Sequence, residues 1–417
     1  MTAEVQTFGC RLNAYESEVI RTLAAGQSDL VVINTCAVTA EAERQCRAAV
    51  RRAHRDRPEA RIVVTGCAAQ INPAAWAALP GVHRVLGNPD KLRPASWQPS
   101  AGSAVSDLRA PRPDVPHPAT GMEGRARAFV EVQSGCDHAC TFCVIPQGRG
   151  PNRSVPPDSI VRQVRTLVDA GYQEVVLTGV DICSYGLDLP GRPTLGSMAR
   201  HLLTLAPDLP RLRLSSLDPA ALDEDLWRLL AEEPRLMPHL HLSLQAGSDL
   251  VLKRMRRRHT RAGALAAIAR ARSLRPGLTV GADLIAGFPT ETDALFAETL
   301  AFVDEAALPY LHVFPYSERP GTPAARMPAV APPVRRERAA RLRAAASVHA
   351  AAFHAGMVGH TVQVVVERGG RGHTEHYAPV RLTTADAVGS LATALIVGAD
   401  AAGLDAVGPD AASPPGG

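Results

Sequence analysis

The stretch AFVEVQSGCDHACTFC, residues 128–143, decides how this chain folds. Its first five residues are mostly apolar and β-prone, and they predict a short buried strand. Cys136, Cys140 and Cys143 follow directly, with the spacing C-x3-C-x2-C. Barrels of alternating strands and helices carry their sites on loops at the carboxyl ends of strands. Three thiolates on one such loop can hold an iron–sulfur cluster and leave one iron open.

A zinc knuckle or chance clustering is the alternative interpretation of these cysteines. Zinc usually needs a fourth ligand, and His138 lies inside the spacing rather than at a usual offset. The position directly after a strand and the aromatic Phe142 between the last two cysteines favour the cluster.

Further candidate strands follow this loop, and each interval between consecutive strands is long enough to contain a crossover helix. Counting the strand at Ala128, six candidates begin at Ala128, Glu174, Arg211, His239, Thr279 and Tyr310. Residues 158–170 and 290–305 read as two of the helices. Six such units predict an incomplete (β/α)6 barrel over residues 122–355 rather than a closed eightfold one.

A second set of cysteines lies in residues 1–93, where short apolar strands alternate with helical stretches. The strands are expected at 5–8, 30–34, 62–65 and 82–86, forming a parallel α/β sheet. Cys10, Cys36 and Cys67 each follow a strand end, and parallel strands end on one edge of a sheet. The three thiols are therefore expected to converge and hold a second cluster with an open iron. The alternative is three ordinary buried cysteines, the role that we expect for Cys46 and Cys183.

The remaining segments differ in composition. Residues 94–121 are rich in proline and read as a linker or irregular excursion, residues 356–410 as a small β-domain, and residues 411–417 as a disordered tail. No apolar run approaches a membrane span and the start lacks a signal-peptide pattern, so a cytoplasmic protein with reduced cysteines and no membrane partner is expected.

Arginine accounts for nearly all of the 45 basic residues, with Lys91 and Lys253 the only lysines. Arginine-rich stretches occur on a helix after Cys36, at residues 253–261 and at residues 335–343. They could neutralise RNA phosphates, although a solvated face or a GC-rich genome would give the same pattern.

The triad Cys136, Cys140 and Cys143, with Phe142, matches the signature of the radical S-adenosylmethionine (SAM) superfamily. Together with the N-terminal triad, several phrases make the chain resemble the methylthiotransferases of that superfamily along nearly its whole length. These phrases include Thr7-Phe-Gly-Cys-Arg-Leu-Asn13, Gly66-Cys-Ala-Ala-Gln70, His241-Leu-Ser-Leu-Gln-Ala-Gly-Ser-Asp249 and Asp283-Leu-Ile-Ala-Gly-Phe-Pro289. Asn34-Thr-Cys-Ala-Val-Thr39, Leu177-Thr-Gly-Val-Asp181 and Ser215-Ser-Leu-Asp-Pro219 are most similar to the branch that modifies threonylcarbamoyladenosine in tRNA.

The resemblance implies two [4Fe-4S] clusters, SAM and a 5′-deoxyadenosyl radical that abstracts hydrogen from adenine C2. Cys136, Cys140 and Cys143 would be the catalytic ligands, and Cys10, Cys36 and Cys67 the ligands of the sulfur-carrying cluster. The implied SAM-binding residues are Phe142, Gly179, Ser243, Gln245, Ile285 and Gly287.

The expected function is insertion of a methylthio group at C2 of N6-threonylcarbamoyladenosine beside the anticodon. The alternatives are another tRNA adenosine or a ribosomal protein as substrate, and a non-enzymatic iron–sulfur RNA-binding protein. Expected partners are tRNA, an electron donor such as flavodoxin or ferredoxin, and a sulfur donor that the sequence does not identify, with the enzyme a monomer. The C-terminal β-domain resembles the TRAM RNA-binding module, in which Tyr377 is a candidate to stack on an RNA base.

Overall fold

Four parallel strands in the order β1-β2-β3-β4 form the N-terminal sheet. The computed structural model describes residues 3–27, 29–110, 121–122, 124–383 and 386–409, so the tail predicted at 411–417 lies outside the described residues. The strands are β1 (Glu4–Thr7), β2 (Leu30–Thr35), β3 (Arg61–Gly66) and β4 (Val82–Val85). The helices between and after them are α1 (Arg11–Leu23), α2 (Ala40–Asp56), α3 (Cys67–Ile71) and α4 (Pro73–Ala77).

Burial of the central strands explains why they read as continuous apolar runs. All six residues of β2 are buried, and separate hydrophobic clusters cover the two faces of the sheet. Because both faces of such a parallel sheet are covered, its strands show no alternation of polar and apolar residues. The predicted parallel α/β sheet is confirmed.

Residues 94–110, the described part of the proline-rich stretch, pack along the edge of this sheet. Trp97 is buried and its indole N–H donates to the carbonyl of Lys91. Ala104 forms a parallel bridge with Leu86, and the guanidinium of Arg84 donates to three carbonyls of the segment. This part of the chain is therefore an irregular excursion held by the sheet, while residues 111–120 lie outside the description.

The middle region is built from two three-stranded parallel sheets, β5-β8-β9 and β10-β11-β12, joined by a bridge between Leu217 and Leu242. Its strands are β5 (Ala128–Glu131), β6 (Gln133–Ser134), β7 (Arg153–Ser154), β8 (Glu174–Thr178), β9 (Arg211–Leu214), β10 (His239–Gln245), β11 (Thr279–Ala286) and β12 (Tyr310–Pro315). Its helices are α5 (Ile145–Arg149), α6 (Pro157–Asp169), α7 (Leu195–Leu205), α8 (Glu224–Glu232), α9 (Asp249–Met255), α10 (Arg261–Leu274), α11 (Asp293–Glu305) and α12 (Pro332–Ala355). The predicted six-stranded incomplete barrel is confirmed.

One helix boundary differs from the prediction. Helix α11 begins at Asp293 rather than at residue 290, because Thr290 has φ of +67° and cannot lie in a right-handed helix. Thr292 is the N-cap, and its side chain accepts a hydrogen bond from the Leu295 N–H.

The C-terminal domain is a closed five-stranded barrel in the order β13-β14-β15-β17-β16. Its strands are β13 (Thr361–Glu367), β14 (Arg371–Thr374), β15 (Pro379–Leu382), β16 (Leu391–Asp400) and β17 (Gly403–Val407). The expected small β-domain is confirmed, but β14 and β17 escape prediction because one is polar throughout and the other begins with glycine and carries an aspartate.

The turn after β14 enters the amino-terminal end of the larger barrel. The ring of Tyr377 stacks on His239 at 4.9 Å and on His373 at 4.8 Å, and its hydroxyl accepts a hydrogen bond from Arg11. The expectation that Tyr377 stacks on RNA therefore fails, since both faces of the ring are covered by protein.

A buried ion network docks the N-terminal sheet on the barrel. Glu16 of α1 accepts hydrogen bonds from Lys91 at 2.6 Å and from both terminal nitrogens of Arg149 at 2.9 Å. The side chains of Glu16 and Lys91 are 0% exposed and that of Arg149 is 2% exposed. Because Arg149 ends α5, which follows the barrel cysteines, the network ties both halves of the molecule together at one point.

We predict that Glu16→Gln lowers the free energy of unfolding by about 3–5 kcal/mol, because two buried cations would lose their shared carboxylate. Urea denaturation followed by circular dichroism measures this. Glu41→Gln, which breaks an exposed pair with Arg44, should cost about 1 kcal/mol or less as the matched control. Equal effects of the two substitutions would contradict the importance of the network.

Candidate iron–sulfur active site

The barrel cysteines lie on a loop that follows β6 and is fixed by backbone contacts. Gly135 precedes the loop with φ of +74°, and a Cβ there would lie 1.8 Å from the Pro151 carbonyl oxygen, so only glycine fits. The Cys136 N–H donates to the Gly150 carbonyl at 3.0 Å. Thr141 donates its N–H to the Met255 carbonyl and its hydroxyl to the Arg254 carbonyl, both at the end of α9. The loop conformation is therefore determined by its surroundings.

Each sulfur on this loop accepts a hydrogen bond. The N–H of His138 lies 3.4 Å from the Cys136 Sγ, and the N–H of Ile145 lies 3.4 Å from the Cys143 Sγ. The guanidinium of Arg257 donates to the Cys140 Sγ at 3.6 Å. Such donors stabilise thiolates and tune iron–sulfur clusters.

Burial opposes ionisation of the same thiols. It raises the pKa of Cys136 to about 12 and that of Cys143 to about 11. A metal would have to displace these protons on binding, as metals do at cysteine sites generally.

The N-terminal cysteines meet at one edge of the sheet. Cys10 is the N-cap of α1, Cys36 follows β2, and Cys67 begins α3. A Cβ on Gly9 would lie 2.7 Å from the Cys36 Sγ. Burial raises the pKa of Cys36 to about 12, and the neighbouring thiols of Cys67 and Cys10 add to that effect. The convergence expected from the parallel topology is thus present.

Polar donors reach this second triad as well. The N–H of Val38 lies 3.5 Å from the Cys36 Sγ, and the side-chain amide of Asn88 lies 3.6 Å from the Cys67 Sγ. Cys46 is instead a buried residue of α2 that packs into the core, and Cys183 accepts a hydrogen bond from the Asp218 N–H outside both triads.

The spacing of the sulfurs fits clusters better than single ions. Thiolates on one zinc sit about 3.8 Å apart, because tetrahedral bonds of about 2.3 Å require it. Within the described residues, two groups of three donors lie within 4.8 Å of one another, and neither contains two cysteines. One of these groups joins Cys136 to His138 and Asp181, but it leaves Cys140 and Cys143 outside. A cubane cluster binds each thiolate to a different iron and so accommodates the wider spacing.

The two triads are neighbours. A Cβ on Gly148 of α5 would lie 3.1 Å from the Cβ of Cys67, so α5 packs directly against the start of α3. The Asn88 side chain donates to both the Cys67 sulfur and the Gly148 carbonyl. The loop with Cys143, two residues before α5, is therefore held beside the N-terminal triad.

A cavity of about 230 Å³ opens between the loops that carry the triads. It is lined by Val38, Thr39, Phe142, Gln245, Asp283, Ile285, Phe314, Pro315, Tyr316 and Ser317. The Ala40 N–H donates to the Ser317 hydroxyl at 2.9 Å, which joins the N-terminal domain to the far wall of the cavity. The cavity thus has walls from both domains.

The residues expected to bind SAM fall into two groups. Phe142, Gln245 and Ile285 line the cavity. Ser243 is not among the lining residues, and its carbonyl accepts a hydrogen bond from Arg257.

The two glycines of that set are explained by packing. A Cβ on Gly179 would meet the Gln133 carbonyl at 2.6 Å, and one on Gly287 would meet the side chain of Arg335 at 2.6 Å. At both positions, glycine is required because another part of the protein lies close to its backbone.

Three residues that contact the site were not expected from the sequence. Asn88 and Arg257 come from segments distant from the cysteines; nothing in its local pattern distinguishes Asn88, and the arginine-rich stretch that contains Arg257 indicated RNA phosphates instead. Asp283 has a weak signal, since a carboxylate inside an otherwise apolar strand is unusual.

The arginine-rich stretches differ in their availability. On α12, Arg335 and Arg338 are buried and pair with Glu318 and Glu291. Helix α2 instead exposes several arginines, among them Arg44, Arg51, Arg52 and Arg55. No helix in the described part of the chain is both long and apolar enough to span a membrane.

Comparison with known proteins gives consistent matches. The Radical SAM superfamily matches residues 130–303, and Uncharacterized protein family UPF0004 matches residues 2–87. Threonylcarbamoyladenosine tRNA methylthiotransferase MtaB of Rickettsia prowazekii is 46% identical over 95% of this chain and 94% of its own length. The tRNA-2-methylthio-N(6)-dimethylallyladenosine synthase of Erythrobacter litoralis is 37% identical over 89% of this chain and 87% of its own.

A solved structure resembles the fold at low sequence identity. The radical S-adenosylmethionine methyltransferase TsrM from Kitasatospora setae has a TM-score of 0.52 and 16% identity, covering 76% of this chain and 67% of that one. This likeness supports the fold alone.

Proposed function

This chain belongs to the radical SAM tRNA methylthiotransferase family, and from that premise we propose that it inserts a methylthio group at C2 of N6-threonylcarbamoyladenosine beside the tRNA anticodon. Relatives bearing that substrate in their name include two at 46% and 39% identity, while relatives at 33–37% carry either that name or the name of the dimethylallyl substrate. The observation that carries the proposal is that the two cysteine triads are neighbours beside a cavity with walls from both domains, since sulfur insertion at an unactivated carbon needs both a radical source and a sulfur carrier.

Cys136, Cys140 and Cys143 would hold the cluster that binds SAM, and Cys10, Cys36 and Cys67 would hold the second cluster. When bound, the first cluster and SAM supply a carbon-centred radical, and the second supplies sulfur. The protein's own residues place these groups and exclude water from them. Phe142 and Ile285 give the cavity apolar walls beside the barrel triad.

Adjacency of the triads is the part of this chemistry that the chain itself provides. The reacting carbon must reach both clusters without leaving the cavity, and a small misplacement would lose the near-attack geometry. Packing of α5 on α3 and the double hydrogen bond of Asn88 fix that relation.

We assign the tRNA contact first to the exposed arginines of α2. The loop at Val38 and Thr39 lines the cavity and leads directly into α2, whose exposed arginines include Arg44 and Arg51. Phosphate contacts of this kind position RNA without reading its sequence. A flavodoxin or ferredoxin as electron donor, a monomeric state and the division into domains at residues 93, 121, 355 and 410 belong to the same proposal.

We predict that tRNA from a deletion strain lacks 2-methylthio-N6-threonylcarbamoyladenosine and accumulates its precursor without the methylthio group. Mass spectrometry of digested tRNA measures both nucleosides, and reintroduction of the gene is the control. If the methylthio derivative of dimethylallyladenosine disappears instead, the substrate assignment is wrong while the reaction class stands.

The two triads should fail separately. Cys140→Ala should abolish formation of 5′-deoxyadenosine, whereas Cys36→Ala should retain it without RNA modification, because the radical source would be intact. Each variant should lose about four of about eight irons after anaerobic reconstitution. Cys46→Ala, with a buried cysteine outside both triads, should keep its iron. Equal loss of SAM cleavage in both triad variants would contradict this division.

A further inference from the structure

Asp283 carries the one charged side chain among the described residues that line the cavity. It lies on β11, between the two neighbouring strands of its sheet, and is 19% exposed. The other lining side chains are apolar, aromatic or neutral. A charge in such surroundings is costly unless it is paired and hydrogen-bonded.

The carboxylate is held in place by three donors. The Oδ1 accepts hydrogen bonds from the His241 Nε2 at 3.0 Å and the His312 Nδ1 at 3.2 Å, and the Oδ2 accepts one from the Ser216 hydroxyl at 3.1 Å. Gly281 makes room for this arrangement, since a Cβ there would lie 2.6 Å from the His241 ring. Burial would raise the pKa of Asp283, but the two histidines outweigh it and hold the pKa below its usual value. The group is therefore an anion at neutral pH.

One acceptor position of Asp283 is left for a ligand. A carboxylate offers about four lone pairs, and within the described residues three donors use three of them. The fourth, on Oδ2, is free to accept an N–H or O–H from whatever enters the cavity.

Phe314 provides an independent indication of the ligand class. Its side chain lies two residues after His312 on β12, lines the same cavity, and is 40% exposed. An aromatic face left open beside a fixed acceptor suits a nucleobase, which stacks through its ring and donates through its exocyclic nitrogen.

The geometry of adenine connects these two residues to the reaction. Ring atoms C2 and C6 are both bonded to N1, so the nitrogen on C6 must occupy the same cavity as the reacting carbon. N6-threonylcarbamoyladenosine keeps one hydrogen on that nitrogen. We propose that Asp283 accepts a hydrogen bond from the N6–H of the target adenosine while Phe314 stacks on its base. This inference rests on the proposed function and makes both residues determinants of substrate binding and orientation.

The test uses full-length, anaerobically reconstituted enzyme and two synthetic anticodon stem-loops. One stem-loop carries N6-threonylcarbamoyladenosine, and the other carries the same nucleoside with an added N6-methyl group, which removes the N6–H. For the wild type, kcat/KM should fall by about ten- to a hundredfold from the first to the second. Asp283→Asn should show a similar loss on the first stem-loop and little further loss on the second, because both changes remove one interaction.

Two further variants separate recognition from folding. Phe314→Leu should lower kcat/KM on both stem-loops by similar factors, since stacking does not depend on the N6–H. Asp169→Asn, an exposed residue at the end of α6, should leave both values unchanged. Iron content should match the wild type in all three variants, and RNA-independent formation of 5′-deoxyadenosine should match it in Asp169→Asn.

Several outcomes would overturn the inference. If the losses of kcat/KM from Asp283→Asn and from N6-methylation multiply when the two changes are combined, the changes act independently. The added methyl group would then lower activity for another reason, such as a steric clash. A fall in RNA-independent SAM cleavage in Asp283→Asn would assign the carboxylate to the cofactor instead. One equivalent of zinc in the wild type that is lost in this variant would assign Asp283, His241 and His312 to a metal. Failure of the wild type to modify the first stem-loop would instead refute the proposed function.

Discussion

The shared carboxylate of Glu16 is the interaction on which the active-site geometry depends. It lies between Lys91 of the N-terminal domain and Arg149 at the end of α5, with all three side chains almost fully buried. Both cations are almost inaccessible to water, so moving one domain relative to the other would leave a buried charge without its partner. Because Arg149 is six residues beyond Cys143 and its neighbour Gly148 packs on Cys67, the docking geometry sets the separation of the two triads. Together with the packing of α5 on α3 and the hydrogen bonds of Asn88, this contact holds the two triads beside each other.

The sequence predicts those parts of the fold that local pattern controls. The six barrel strands begin at the residues that the sequence predicted, because each carries β-prone apolar residues and is separated from the next by enough chain for a crossover helix. The N-terminal triad could be found because cysteines after parallel strands share an edge, and the barrel triad because its three cysteines lie on one loop after a strand. The elements that were not predicted depend instead on features that the local sequence pattern does not show. Strands β14 and β17 are short and depend on barrel closure, and the start of α11 depends on the positive φ of Thr290.

Site residues that act through distant partners were beyond prediction for a related reason. Asn88 contacts Cys67 where the sheet and α5 are docked. Arg257 donates to Cys140 although the two residues are 117 positions apart in the sequence. The arginine-rich composition was similarly ambiguous. Arg335 and Arg338 neutralise buried carboxylates, and Arg213 pairs with Glu174 while its guanidinium lies 5.0 Å from the Tyr377 ring. A guanidinium with five donors satisfies internal acceptors as readily as phosphates, so abundance alone does not identify RNA-binding residues.

The same physics explains why two carboxylates in this molecule, one buried and one partly exposed, have different roles. Glu16 is 0% exposed and saturated by cations from two domains, so it stabilises the docked arrangement. Asp283 is held by neutral or weakly basic donors on three sides and keeps a lone pair towards the cavity. Replacing its histidines by arginines would saturate it and remove that capacity. An ionised carboxylate with one unused lone pair can accept one further hydrogen bond, and an incoming ligand must supply the donor. In a cavity that also presents the open face of Phe314, that unmet hydrogen bond favours a base with an N–H donor over a ligand without one.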